Sequence, residues 1–123
     1  MTLKELYGAI DGNYDQAIKV MKMDRLIDKH IRKLEKSGLN AALQAAGESM
    51  DPRALFDSAH AMKGVCSNLA LLHLAAAVSD IAEEFREGNA RKLSDDEVRA
   101  RLKEIDEMYR RAEEGIRDYI AQA

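Results

Sequence analysis

His60, Lys63 and Gly64 stand close together in the segment AHAMKGVCSNLA, residues 59–70. On a helix, positions three and four apart lie on one surface, so the histidine, the lysine and the glycine are neighbours. An exposed imidazole is a nucleophile near neutral pH, because its reference pKa leaves much of it unprotonated. An ammonium group one turn on disfavours the imidazolium and attracts the oxygens of a phosphoryl group once it has been transferred. The glycine is the expensive member of the set, costing about 1 kcal/mol relative to alanine inside a helix. It makes sense where another surface must approach the backbone closely beside the histidine. The chain has no Gly-rich phosphate loop, no strand to carry one and no Mg²⁺-binding acidic set. A phosphoryl group for His60 must therefore arrive on another protein.

The elements that position this triplet can be read from periodicity and capping signals. Asp51 is a good N-cap and Pro52 takes the first helical position, which predicts a helix from there to about Ser67. Leu55, Ala59, Met62 and Cys66 form its core-facing stripe. His60 lies well round the cylinder from that stripe, with Arg53, Phe56, Asp57, Lys63 and Ser67 on the outward flanks. Phe56 is odd there, and a neighbouring helix, the short N-terminal helices or a partner could cover it. Asn68 can cap a following helix that runs to Arg86 and stops at Gly88-Asn89. Ser94 and Glu97 make a capping box for a last helix, whose stripe is Val98, Leu102, Ile105, Tyr109, Ala112, Ile116 and Ile120.

Upstream, short helices are expected at Thr2 to Ile10 and Tyr14 to about Met21. A longer one over Met23 to Lys36 has Met23, Leu26, Ile27, Ile31 and Leu34 on one face. Ser37-Gly38 ends it, and LNAALQAAG gives a short helix closed by Gly47. Four substantial helices with short turns favour an antiparallel bundle. Two further histidines read as bystanders: His30 packs among apolar neighbours, and His73 shares a solvated polar face with Asp80 and Glu84.

Composition narrows the setting. The 123 residues make one domain, with 19 basic and 22 acidic side chains and a formal net charge of −3, too weak to point to nucleic acid or an anionic membrane. The single cysteine, Cys66, cannot form an internal disulfide. The charged N-terminal residues form no signal-peptide apolar stretch, so a cytoplasmic location is expected.

The 59–70 segment resembles the signature of the histidine-containing phosphotransfer (HPt) domain family, whose usual pattern is close to His-x-Leu-Lys-Gly, then small residues, then Asn-Leu-Gly. His60, Lys63, Gly64, Asn68 and Leu69 match it, with Met62 standing in for leucine. LKELYGAIDGNYDQAIKVM and the C-terminal amphipathic helix carrying Tyr109 and Tyr119 are likewise similar to small free-standing bacterial HPt proteins. The resemblance implies an all-α fold: an antiparallel four-helix bundle with short additional N-terminal helices, as a single domain over residues 1–123. It implies a phosphorelay intermediate in which His60 accepts a phosphoryl group through Nε2 from a receiver-domain aspartate and passes it to another receiver. Lys63 would stabilise the phosphoryl group, and Gly64 would be the gap that admits the partner. Arg53, Phe56, Asp57 and Ser67 would belong to the docking surface, and Asn68 would act as a helix cap or in a minor site role. The implied protein is a phosphocarrier, not an enzyme. It has no metal site or cofactor of its own, Mg²⁺ belonging to the receiver. Its partners would be response-regulator receiver domains and a hybrid sensor histidine kinase, with no nucleic acid or membrane, and it would act as a monomer.

The chain departs from the pattern at Ala70, where the family usually has glycine; alanine, a better helix former, is expected to tune the helix junction without abolishing transfer. His30 also stands where relatives more often carry a large apolar residue. Three other readings compete. A non-transferring adaptor that only binds receivers could lose the histidine freely. A metal-carboxylate bundle would use Asp57-x-x-His60, which points outward and has no second Glu-x-x-His to match it. A plain helical scaffold leaves Gly64 without a reason.

Overall fold

Seven helices account for every regular element among residues 1–122, the part of the chain that the computed structural model describes. They are α1 (Leu3–Ala9), α2 (Tyr14–Met21), α3 (Asp24–Glu35), α4 (Leu39–Ser49), α5 (Pro52–Asn68), α6 (Leu72–Glu84) and α7 (Asp95–Ala121). Local chemistry sets most of their starts. Thr2 and Glu5 form a reciprocal capping box at α1, and Ser94 and Glu97 form one at α7. The Asn13 side chain accepts from the Gln16 N–H at α2, and the Asp51 carboxylate accepts from the Arg53 N–H at α5, with Pro52 just inside the start.

The bundle has four arms. α5, α6 and α7 are three of them, and α3 with α4 makes the fourth. Those two segments run antiparallel along α7 in steady register. The Tyr119 hydroxyl donates to Asp28 at 2.6 Å, the Tyr109 hydroxyl to the Leu34 carbonyl at 3.2 Å, and Asn40 Nδ2 to Asp106 at 2.8 Å. Gln44 Nε2 then donates to the Leu102 carbonyl at 2.9 Å. The break between α3 and α4 falls at Gly38, whose φ of 69° is left-handed and open to glycine at little cost. Residues 50–51 and 69–71 are the short reversals on either side of α5, and Leu55, Ala59, Met62 and Cys66 face inward as expected, all fully buried. Burial of Leu55 and Met62 contributes roughly 1.5–3 kcal/mol each. The α7 stripe is also buried, except that Ile120 is half-buried and Tyr119 joins the core.

Four local expectations need correction. Gly47 does not close a helix; α4 continues to Ser49, and Gly47 is buried inside it. A Cβ added there would run into Leu102 Cδ1, so the glycine serves the close approach of α4 to α7. Asn68 does not cap α6. It is the last residue of α5, and Leu71 stands at the N-cap of α6 without a side-chain hydrogen bond. α6 ends at Glu84, two residues short of Arg86. Met23 lies at the N-cap of α3 with 44% of its surface exposed, outside the apolar face assigned to it.

Ala70 carries the most informative departure. Its φ is 54°, so helix propensity is not the property that matters at this position. The Leu71 N–H donates to the Cys66 carbonyl at 2.9 Å and the Ala70 N–H to the Ser67 carbonyl at 3.0 Å, the paired bonds of a Schellman motif. An L-residue in this conformation costs about 1–2 kcal/mol, a cost that the glycine of the resembled signature would not bear. Complete burial of the Ala70 methyl offsets part of that cost. The α1–α2 pair clasps the same reversal: Tyr7 Oη donates to the Leu69 carbonyl at 2.8 Å, and the Asn13 N–H to the Ala70 carbonyl at 2.9 Å. Burial raises the Tyr7 pKa well above the ordinary tyrosine value, so the hydroxyl keeps the proton it donates.

Candidate functional site

The outward face of α5 carries all eight residues singled out from the sequence. His60, Gly64, Ser67, Asn68, Arg53 and Asp57 are exposed, while Lys63 and Phe56 are half-buried on the flank facing α6. Gly64 is bare in a stronger sense: a Cβ built on it meets no atom within 4 Å. Nothing inside the fold requires glycine there. The molecule keeps an exposed patch of helix backbone four residues from an exposed imidazole, and the helix is weaker for it.

Phe56 turns back on its own helix instead of reaching the short N-terminal ones. Its ring stacks on the His60 ring, with centroids 5.3 Å apart and planes 16° from parallel. An offset stack of this kind is worth ~0.5–1.5 kcal/mol beyond the area it buries, and it restricts the imidazole to a narrow set of orientations. The Arg86 guanidinium lies over Phe56, 5.2 Å from the ring centroid. Glu83 holds that guanidinium in turn through Nη2 at 2.9 Å and Nε at 3.2 Å, and Asn89 Nδ2 donates to the Glu83 carbonyl at 2.9 Å. The end of α6 and the turn that follows it thus support the aromatic ring that supports the histidine. Sequence reasoning missed Arg86 because its target sits on a different helix.

Lys63 belongs to the same charge cluster. Hydrogen bonds from Arg86 hold the Glu83 carboxyl below its ordinary value, and the charges of Arg86 and Lys63 add to the effect. The lysine is therefore placed on the α6 side of His60, one turn on. Asp57 pairs with Arg53 at 3.5 Å, both well exposed, an arrangement worth little to stability. Among the described residues no group of three histidine, cysteine or carboxylate side chains is placed to hold a metal ion. Cys66 lies one turn past Met62 on the buried stripe, where burial pushes its thiol up to about 12 and leaves it unreactive.

The remaining histidines behave differently from each other. His30 is half-buried beside Leu34 and Leu39, as expected. His73 and Asp80 are exposed, but Glu84 does not share their face: it is buried, with only 7% of its surface exposed. Its carboxylate accepts from the Lys92 N–H at 3.0 Å, the Leu93 N–H at 2.8 Å and Arg91 Nε at 3.1 Å. Burial opposes the charge on Glu84, yet the Leu93, Arg91 and Lys92 donors together outweigh it and lower the pKa. This knot ties the segment before α7 to the end of α6, next to Glu83 and Arg86.

No helix among the described residues is long and apolar enough to cross a membrane. No curated protein and no solved structure matches the chain. A family model does: the Hpt domain model matches residues 27–115, from within α3 to near the end of α7. That span contains α4, α5 and α6 entire, most of α3 and α7, and the α5 face with its exposed histidine, and domains of this family are phosphocarriers in two-component signalling that work with receiver domains and kinases. With most of its length under that match and the bundle the family calls for, the chain belongs to the Hpt domain family.

Proposed function

We propose that the chain is a phosphorelay intermediate, with His60 accepting a phosphoryl group from a receiver-domain aspartate and yielding it to another receiver. The observation that carries this reading is the bare backbone at Gly64 beside the exposed, ring-stacked His60. In the transfer, the lone pair of His60 Nε2 attacks phosphorus. The Nε2–P bond forms as the aspartyl O–P bond breaks, and the aspartate leaves as its carboxylate. The reverse step discharges the imidazole onto the next receiver. Phosphoryl transfer of this kind depends on positioning and on charge balance at the equatorial oxygens. Phe56 supplies the first by holding the ring, and Lys63 supplies the second. Gly64 admits the partner's surface, with Arg53, Asp57 and Ser67 around it as docking residues and Asn68 at the margin. The chain brings no cofactor; Mg²⁺ resides on the receiver. It works as a monomer in the cytoplasm, taking phosphate from receivers, including one attached to a hybrid sensor kinase.

The test is to mix the purified chain with a panel of phosphorylated receiver domains and follow label from receiver to chain. Transfer from at least one receiver supports the relay. Tight receiver binding with no transfer supports a non-transferring adaptor instead.

Two variants examine the assigned roles. Lys63→Ala should slow transfer by about tenfold without abolishing it, less than the ~100-fold loss typical of a water-excluded oxyanion donor because Lys63 is only half-buried. An unchanged rate denies the lysine its electrostatic role. Gly64→Gln should block receiver binding while raising the melting temperature by a few degrees, since glutamine is the better helix former by somewhat under ~1 kcal/mol and the position is open. Should Gly64→Gln unfold the domain, the glycine is structural.

A further inference from the structure

The net charge of −3 conceals an uneven division of charge along the chain. Residues 19–36 carry seven basic and three acidic side chains, a local net of +4, which leaves −7 on the remainder. α3 gathers that excess on one side. At 3.6 residues per turn, Arg25, Lys29, Arg32, Lys33 and Lys36 fall within about 100° of arc, opposite the buried Ile27, Ile31 and Leu34. No carboxylate falls in that arc, so the outward face of the helix is wholly cationic.

The three carboxylates of the segment are occupied beside the stripe. Asp24 accepts from the Tyr14 hydroxyl, Asp28 from the Tyr119 hydroxyl at 2.6 Å and from Arg32 Nε at 3.0 Å, and Glu35 from Arg117 Nε at 3.1 Å. Arg25, Lys29, Lys33 and Lys36 are exposed and, among the described residues, form no ion pair. Like charges four apart weaken a helix, and no contact inside the fold offsets that here. Two large apolar side chains stand at the edge of the stripe. Met23 Sδ lies 4.0 Å from Arg25 Nη2, and Val20 lines a depression together with Lys33. They are 44% and 46% exposed.

We propose that the outward face of α3 seats the protein on an anionic phospholipid surface, with its cations on the headgroups and Met23 and Val20 entering the interface. Five cations along a helix of 12 residues, about 18 Å long, match a plane of repeated negative charge. Each basic side chain held at such a surface strengthens binding by about fivefold, and apolar side chains beside them add burial that salt does not screen. Residues 19–36 hold no Phe, Tyr or Trp on which a base could stack, which favours lipid over nucleic acid. The seat also leaves the histidine free. His30 and Lys33 of α3 meet Val65 and Asn68 across one flank of α5, whereas Phe56, stacked on His60, leans on Arg86 at the other. A bilayer under α3 therefore keeps the His60 face open, whether or not phosphate passes through it.

The experiment sediments the full chain with vesicles of phosphatidylcholine alone, or of two parts phosphatidylcholine to one of phosphatidylglycerol, at low and at high salt. The expected result is binding to the anionic vesicles alone, weakened by salt. Arg25→Gln with Lys29→Gln removes two exposed cations and should lower vesicle affinity by about 25-fold. Met23→Ser should lower it by about fivefold, and because serine is a good N-cap the melting temperature should not fall, which separates lost insertion from lost fold. Three results overturn the proposal: no binding to anionic vesicles, equal binding to both vesicle types, or wild-type affinity in the double variant. Displacement of the chain from vesicles by duplex DNA at equal phosphate concentration also overturns it and assigns the stripe to nucleic acid. Charging of His60 by a free receiver, without vesicles, should be unchanged in all these variants. A loss of charging that matches the loss of vesicle binding makes the stripe a receiver contact and overturns the membrane seat. If vesicles bind as expected and no receiver charges His60, the relay reading fails and the membrane seat stands.

Discussion

His60→Gln ends phosphate acceptance from every receiver while leaving the fold in place. Glutamine has no nucleophilic nitrogen, so no Nε2–P bond can form, and no other nucleophile shares the exposed face with the required neighbours. Cys66, the nearest strong nucleophile in sequence, is buried, with its thiol pushed up to about 12. The expected loss is complete within detection, at least ~1000-fold, the scale on which removing a covalent nucleophile acts. The position is exposed, so substitution costs the fold little: loss of the Phe56 stack is worth ~0.5–1.5 kcal/mol. Helicity should be unchanged, and the melting temperature should fall by no more than a few degrees. Continued labelling of the variant places the phosphate elsewhere and removes the central assignment.

Glu84→Ala is expected to be the most damaging exposed-looking substitution in the chain. It removes the acceptor shared by the Lys92 and Leu93 N–H groups and by Arg91, with the carboxylate itself buried. Donors left without a partner cost ~1–3 kcal/mol apiece when water cannot reach them. Arg91 and Lys92 can be resolvated, so the net loss should be about 2 kcal/mol, or on the order of 10 °C in melting temperature. Glu104→Ala, a control on the exposed face of α7, should stay within ~0.5 kcal/mol. Thermal unfolding of the two variants measures the difference.

The same residue gives the stability a pH dependence of known sign. The Glu84 pKa is lowered in the folded state from an ordinary value of 4.5. Its contribution is therefore fully present above that value and is lost as pH falls through the folded pKa. The stability gap between wild type and Glu84→Gln should narrow in the acid range below 4.5. A gap that is constant with pH contradicts the lowered pKa.

The periodicity of α5 was legible because it is a local property: Leu55, Ala59, Met62 and Cys66 repeat at helical spacing, and all four are buried. That one stripe sufficed to turn His60 and Gly64 outward. The features that stayed hidden depend on partners distant in sequence. Gly47 in an alanine-rich stretch looks the same whether it ends a helix or admits Leu102 from α7. Glu84 falls at a helical spacing from His73 and Asp80, but it is buried by a loop that follows its helix. Ala70 suggests helix by residue type, while the hydrogen bonds of the reversal force it left-handed. Arg86 carries no signal, since its partner Phe56 belongs to the helix before.

The most direct test of the central assignment is site-resolved mass spectrometry of the chain after charging by a phosphorylated receiver, with acid and base treatment in parallel. The predicted result is one phosphoryl group on His60, stable in base and lost in acid. Phosphate on any other residue, or an acid-stable phosphate, contradicts it.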